Sequence, residues 1–237
     1  MTGLSARGGQ RPARRRDLTR ARVVATALAI VDAEGLDAVT MRRVAGELGV
    51  EAMSLYTHVR DKQDLVNAMN LLVLSQLDEP VEGDDWAEVL RTFARRLYDA
   101  YVPRPELARV LERTAPTSPE AFGAMERVLA ALDRAGLEPS DQVSAFRGVI
   151  AVCLGFVLVH AGDESRRRAP DEPPWSAWDE PTMTGSAMPH IVRLAPAFGT
   201  TSHDADFEFV IGACIRELQA RTDTTPAQPR RRRAKGI

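Results

Sequence analysis

Between Thr40 and Lys62 the chain reads TMRRVAGELGVEAMSLYTHVRDK. Arg42, Arg43, Ser54, Tyr56, Thr57, His58 and Lys62 supply N–H and O–H donors and positive charge, and Ala52 and Met53 supply apolar groups. This is chemistry for a polyanion with a readable edge. Donors and cations grip phosphates, a guanidinium can bond two acceptors of one guanine, and methyl groups meet those of thymine. The other reactive side chains form no competing pattern. Neither a nucleophile–base pair nor a phosphate loop is recognised, and His160, His190 and His203 build no metal motif. Neither an enzyme, a metal site nor a cofactor is expected.

Elements of helical period must hold these residues. Val23, Ala27, Ile30 and Val31 recur at three and four, and Gly35 ends that first helix. Thr40 suits the N-cap of a short helix over 41–48, which Gly49 breaks. A second short helix is expected over about 52–59, and Asp61 caps a longer one carrying Leu65, Met69, Leu72 and Val73 on one face. Val44, Leu48, Leu55 and Val59 then turn inward, and Ala52, Met53, Ser54, Tyr56, Thr57 and His58 face out. The pattern is a helix-turn-helix. A plain helical hairpin in an all-α core has the same spacing, so the spacing alone leaves both readings open.

The remainder also reads as helices: one from Asp84 with Val89, Leu90, Phe93 and Leu97 inward, and a short one with Leu107, Val110 and Leu111. Others follow from Pro119 to Gly136, from Pro139 to about Ala161, over about 185–198 and over about 203–220, with a mobile loop expected at 163–183. No stretch alternates as a strand would, so the fold class is all-α. The expected organisation is a disordered Arg-rich arm (1–16), a helix-turn-helix DNA-binding head (17–62), a larger helical body (63–222) and a disordered basic tail (223–237).

Of the 237 residues, 44% are hydrophobic and 27% charged, enough for a buried core. The net charge of −2 conceals basic ends: seven arginines precede Val23, and Arg230 to Arg233 with Lys235 close the chain. An acidic body with basic ends points to polyanion contact at the ends. The richest apolar stretch, 149–159, is read as too short for a membrane span. Cys153 and Cys214 lie in apolar helical patterns and suit a reduced, cytoplasmic protein.

Residues Leu18 to Met69 resemble the DNA-binding head of the tetracycline-repressor (TetR) family, through LGV at 48–50, LYTHV at 55–59, and Lys62 with Leu65. The likeness continues more weakly through Trp86, TAPTSPEAF from Thr114, SAMP from Ser186 and FEF from Phe207. It implies a homodimeric, ligand-responsive regulator on a palindromic double-stranded DNA operator. The alternative is a constitutive or architectural DNA binder using its basic arms. Position by position, the resemblance implies operator contacts from Thr40, Met41, Arg42, Ala52, Met53, Ser54, Tyr56, Thr57, His58 and Lys62. Thr40, Tyr56, His58 and Lys62 would mostly grip phosphates; Arg42, Ala52, Met53 and Ser54 would mostly read base edges.

The body is expected to hold a small-molecule inducer against Phe93, Leu97, Leu111, Met125, Val128, Leu132 and Phe156. The same residues would serve equally as core. The tetracycline repressors place an amide and an aromatic for the drug where this chain has Phe93 and Leu97, and a magnesium-binding histidine where it has Leu111. A largely apolar ligand fits better than tetracycline–magnesium. The two richest apolar helices would meet their symmetry mates through Val149, Cys153, Phe156, Phe209, Ile211 and Ile215.

Overall fold

The structure, a computed structural model, describes residues 18–77, 85–111, 119–168, 189–198 and 202–224, and the described residues contain no strand. The two basic ends, most of the expected 163–183 loop and the SAMP motif lie outside them.

Helix α1 (Arg20–Glu34) begins where the Thr19 hydroxyl accepts the Arg22 N–H at 3.2 Å and ends at Gly35, whose φ of 82° lies where side chains are disfavoured. After a 3₁₀ turn (Leu36–Ala38), Thr40 caps α2 (Met41–Leu48), its hydroxyl accepting the Arg43 N–H at 3.1 Å. Gly49 follows in the left-handed region at φ 66°, ψ 34°, and the Val50 N–H reaches back to the Ala45 carbonyl at 3.0 Å. This closure satisfies a carbonyl that the helix end would orphan.

Helix α3 spans only Ala52–Leu55, shorter than the sequence suggests. The His58 N–H bonds the Leu55 carbonyl, three residues back, at 2.8 Å, so the chain tightens into a turn over 56–58. Burial of both Leu55 and Val59 fixes that turn.

Helix α4 (Lys62–Gln76) starts at Asp61, whose carboxylate accepts the Asp64 N–H at 2.8 Å. It packs on α1 and also on α6 (Pro105–Leu111) and α7 (Pro119–Arg134), and so belongs to both head and body. Helix α5 (Trp86–Tyr101) lies against α7, α8 (Pro139–Arg168) and α10 (His203–Thr224). Helix α9 spans Pro189–Phe198. Residues 163–168 continue α8 rather than opening a loop.

One core runs through the molecule. Val23, Ile30, Val44 and Leu55 fill the head, Leu65, Met69 and Val73 carry it along α4, and Leu90, Leu97, Leu132, Val157 and Phe207 fill the body. Removing such side chains from water is the main force holding the helices together.

Helix α8 corrects the membrane-length reading. Residues 139–162 make 24 consecutive helical residues, long and apolar enough to cross a bilayer by length and composition, although only 22% of their most apolar window is buried. Counting only the central run of large residues hides the Gly and Ala positions that keep the rest apolar.

Candidate nucleic-acid interface

The head presents a rigid outward face. Met53 is 72% exposed and Tyr56 46% exposed, although both flank the fully buried Leu55. Large side chains held in water on an anchored turn invite a partner surface. Arg42, Thr57 and Lys62 are exposed; Met41, Ala52, Ser54 and His58 are half-buried at the rim of the same surface. The structure thus brings these positions together around α2, α3 and the start of α4.

Several roles are sharpened by the geometry. The exposed Thr40 uses its hydroxyl oxygen to cap α2, and its own O–H proton is not the one spent in that cap. Thr57 donates its hydroxyl proton to the Ser54 carbonyl at 2.7 Å, so it offers only a methyl and acceptor lone pairs outward. Arg43, read with Arg42 as a phosphate cation, is instead committed: it pairs with Glu34 at 2.7 Å and with Glu47, and these hydrogen bonds raise its already high pKa. Arg42 and Lys62 are left as the exposed cations among the expected contacts.

A cluster that the sequence does not reveal holds this face in place. Arg20 on α1 donates to both oxygens of Asp64 on α4, at 2.9 and 3.1 Å, and also to the His58 carbonyl at 2.6 Å. Asp64 further accepts the Arg60 N–H at 2.9 Å. The hydrogen bond from Arg20, above all, holds the Asp64 carboxyl down at about 2, well below the usual range. The Arg20–Asp64 pair therefore ties together the first helix, the turn bearing Tyr56 and His58, and α4. Arg20 and Asp64 lie 44 positions apart, so no local periodicity links them.

In the body, Phe93, Leu97, Val128 and Leu132 are buried in one cluster; Leu111 and Phe156 pack partly buried against it, and Met125 is half-buried. Aromatic rings line the same junction: Phe93 stacks on Phe146 at 5.8 Å, and Phe207 stacks on Tyr98 at 4.4 Å and meets Phe156 edge-on at 5.7 Å. The Tyr98 hydroxyl and His160 Nδ1 lie 3.2 Å apart, and charged and polar groups adjoin them: the Arg95 guanidinium lies 5.3 Å over the Tyr98 ring, and the His203 ring lies 4.9 Å from that of His160.

The pairing surface needs correction. Val149, Cys153, Ile211 and Ile215 are buried within their own subunit, and Cys153 donates its S–H to the Ala94 carbonyl at 3.5 Å. At 0–2% exposure each of the four is already covered by its own subunit. Phe156 is half-buried, whereas Phe209 is 71% exposed. Outward on α8 lie Ser144, Gly148, Ala151 and Gly155, a stripe of small residues at helical spacing that leads to the larger, exposed Val159.

Two family patterns cover this architecture. "Bacterial regulatory proteins, tetR family" matches residues 23–69, and "Tetracyclin repressor-like, C-terminal domain" matches residues 79–221. The chain belongs to the TetR family of transcriptional regulators. It is a DNA-binding regulator and not an enzyme.

Among relatives of this regulator, the HTH-type transcriptional repressor DrrR1 of Streptomyces coeruleorubidus is 38% identical over 154 residues, 63% of this chain. That match spans 56% of DrrR1's own length. The class C tetracycline repressor of Escherichia coli is 29% identical over 213 residues, covering 88% of this chain and 94% of the repressor. Among solved structures, the Streptomyces coelicolor TetR family protein ActR in complex with actinorhodin superposes with a TM-score of 0.73 at 29% identity, covering 86% of this chain and 96% of ActR.

Proposed function

We propose that this regulator is a ligand-responsive repressor that binds a palindromic operator as a homodimer and leaves it when a largely apolar small molecule occupies the body. Residues 17–62 form the reading head and 63–222 the ligand-binding and dimerisation unit. The observation that carries the reading is the anchored, outward face of the head, where Met53 and Tyr56 stand in water beside buried Leu55. Arg42 addresses a guanine, Ala52 and Met53 meet thymine methyls, and Thr40, Tyr56, His58 and Lys62 grip phosphates.

A single head makes few contacts, and two-fold symmetry doubles them. The apolar but uncovered stretch of α8, together with exposed Phe209 on α10, supports a second copy as the partner. Small side chains along the α8 stripe let two helix backbones approach closely. ActR binds actinorhodin. We place a planar, largely apolar ligand of that general kind beside the aromatic residues of α5, α8 and α10, where rings can stack on it. Because α4 packs on α1 in the head and on α6 and α7 in the body, a ligand that shifts α6 or α7 moves the head.

Selection of bound duplexes from a random pool tests this with wild type and a Tyr56→Ala, His58→Ala variant. Wild type should recover one palindrome that the variant loses. Recovery of no motif, or of the same weak pool by both proteins, would refute the operator-binding role.

A further inference from the structure

The body reaches the head through a second route besides α4. Arg104 lies in the turn between α5 and α6, and its guanidinium grasps Asp32 near the end of α1, 72 positions away in sequence. Nε donates to Oδ1 at 2.5 Å and Nη2 to Oδ2 at 2.9 Å; Nη1 donates to the Ala100 carbonyl at 2.8 Å. All three guanidinium nitrogens are therefore engaged, and the Arg104 side chain is only 16% exposed. Two parallel bonds fix rotation as well as distance, which a lysine would not do.

A second contact starts three residues earlier on the same element. Tyr101, fully buried, donates its hydroxyl proton to Asn70 Oδ1 on α4 at 3.1 Å, and the Arg104 N–H closes the turn on the Tyr101 carbonyl at 2.9 Å. One rigid turn of the body thus holds both α1 and α4. A head attached through a single helix can swing about that helix; a second attachment on a different helix removes the swing.

We propose that Arg104, through Asp32, sets the angle of the reading head on the body and so fixes the half-site separation that the dimer accepts. This rests on the operator-binding reading above. Arg104 touches no DNA in this role; it is a positioning residue, and operator spacing is the property it controls. Any swing of one head is mirrored by the other, so spacing is the observable most sensitive to its loss.

The test uses the full chain and the palindrome recovered by selection. Affinities are measured for the optimal duplex and for duplexes whose centre is lengthened or shortened by one or two base pairs. Wild type, Arg104→Gln, Asp32→Asn and the double variant are compared, with thermal midpoints recorded for each. An ion pair of this kind is worth about a factor of 5 in each subunit, so discrimination against the wrong spacings should fall roughly 5- to 25-fold in either single variant. Affinity for the optimal duplex should change far less, and the double variant should lose no more than a single one.

Unchanged spacing discrimination in the single variants overturns the proposal. So does a loss that is equal on every duplex and follows a lowered thermal midpoint, which marks a merely structural contact. A double variant that sums two separate losses overturns it too. If wild type selects no palindrome, the operator-binding reading fails and this inference falls with it; a palindrome with unaltered spacing preference refutes this inference alone.

Discussion

Asp64→Asn should weaken the head in a pH-dependent way. The carboxylate accepts two hydrogen bonds from Arg20 and one from the Arg60 N–H, and Arg20 also holds the His58 carbonyl. Its pKa falls from the ordinary 3.8 to about 2, first because of the Arg20 hydrogen bond, against an opposing desolvation cost. That fall sets a ceiling of ~2.4 kcal/mol on the linked stability. Arg20 is nearly half exposed, so water and salt reduce the value to about 1–2 kcal/mol. A carboxylate whose folded pKa is depressed stabilises fully above its unfolded pKa and loses that contribution as pH falls toward the folded one. Wild type should therefore exceed Asp64→Asn by about 1–2 kcal/mol at pH 7, and the gap should close between about pH 4 and pH 2. Urea midpoints of both proteins across pH 2–7 measure the difference directly, and operator affinity should drop in the variant because the turn bearing Tyr56 and His58 loses its anchor. Equal midpoints at pH 7, or a gap that persists unchanged at pH 2, would refute the reasoning.

Three further outcomes are expected. Gly49→Ala should cost about 1–2 kcal/mol by thermal melting through its positive φ alone, since an added Cβ meets no atom within 4 Å; a neutral substitution would show that the turn tolerates a side chain. Phe209→Asp, which puts a charge in place of the exposed ring on α10, should convert the proposed dimer to monomer in sedimentation without unfolding it, and a persisting dimer would place the pairing surface elsewhere. Burial pushes the Cys153 thiol up to about 12, so iodoacetamide at pH 8 should leave it unmodified until the protein unfolds; rapid native labelling, read by mass spectrometry, would contradict that burial.

Much of the fold was legible because helix boundaries here are local chemistry. Thr19, Thr40, Asp61 and Asp85 each cap a helix through a side chain within three residues of its target, and Gly35, Gly49 and Gly136 each supply a positive φ. The all-α class, the helix-turn-helix and its outward face follow from such signals and from the three-and-four spacing of apolar residues. The length of α3 was not legible, because the tight turn in which the Leu55 carbonyl accepts both the His58 and the Val59 N–H depends on Leu55 and Val59 both finding the core.

Sequence by itself determined which residues are apolar and how often they recur, and therefore that α8 and α10 are sticky on several sides. Only the tertiary structure decided which side is already used. Cys153 and Ile215 spend their surface on their own subunit, while Phe209 keeps most of its own exposed, because α5 lies against one side of α8 and α10. The same limit governs the polar contacts. Arg20 with Asp64, and Arg104 with Asp32, join residues 44 and 72 positions apart, and an ion pair has no periodicity. Its partners are chosen by the packing of helices that bury quite different side chains, so charge in the sequence names the candidates and the fold selects the pair.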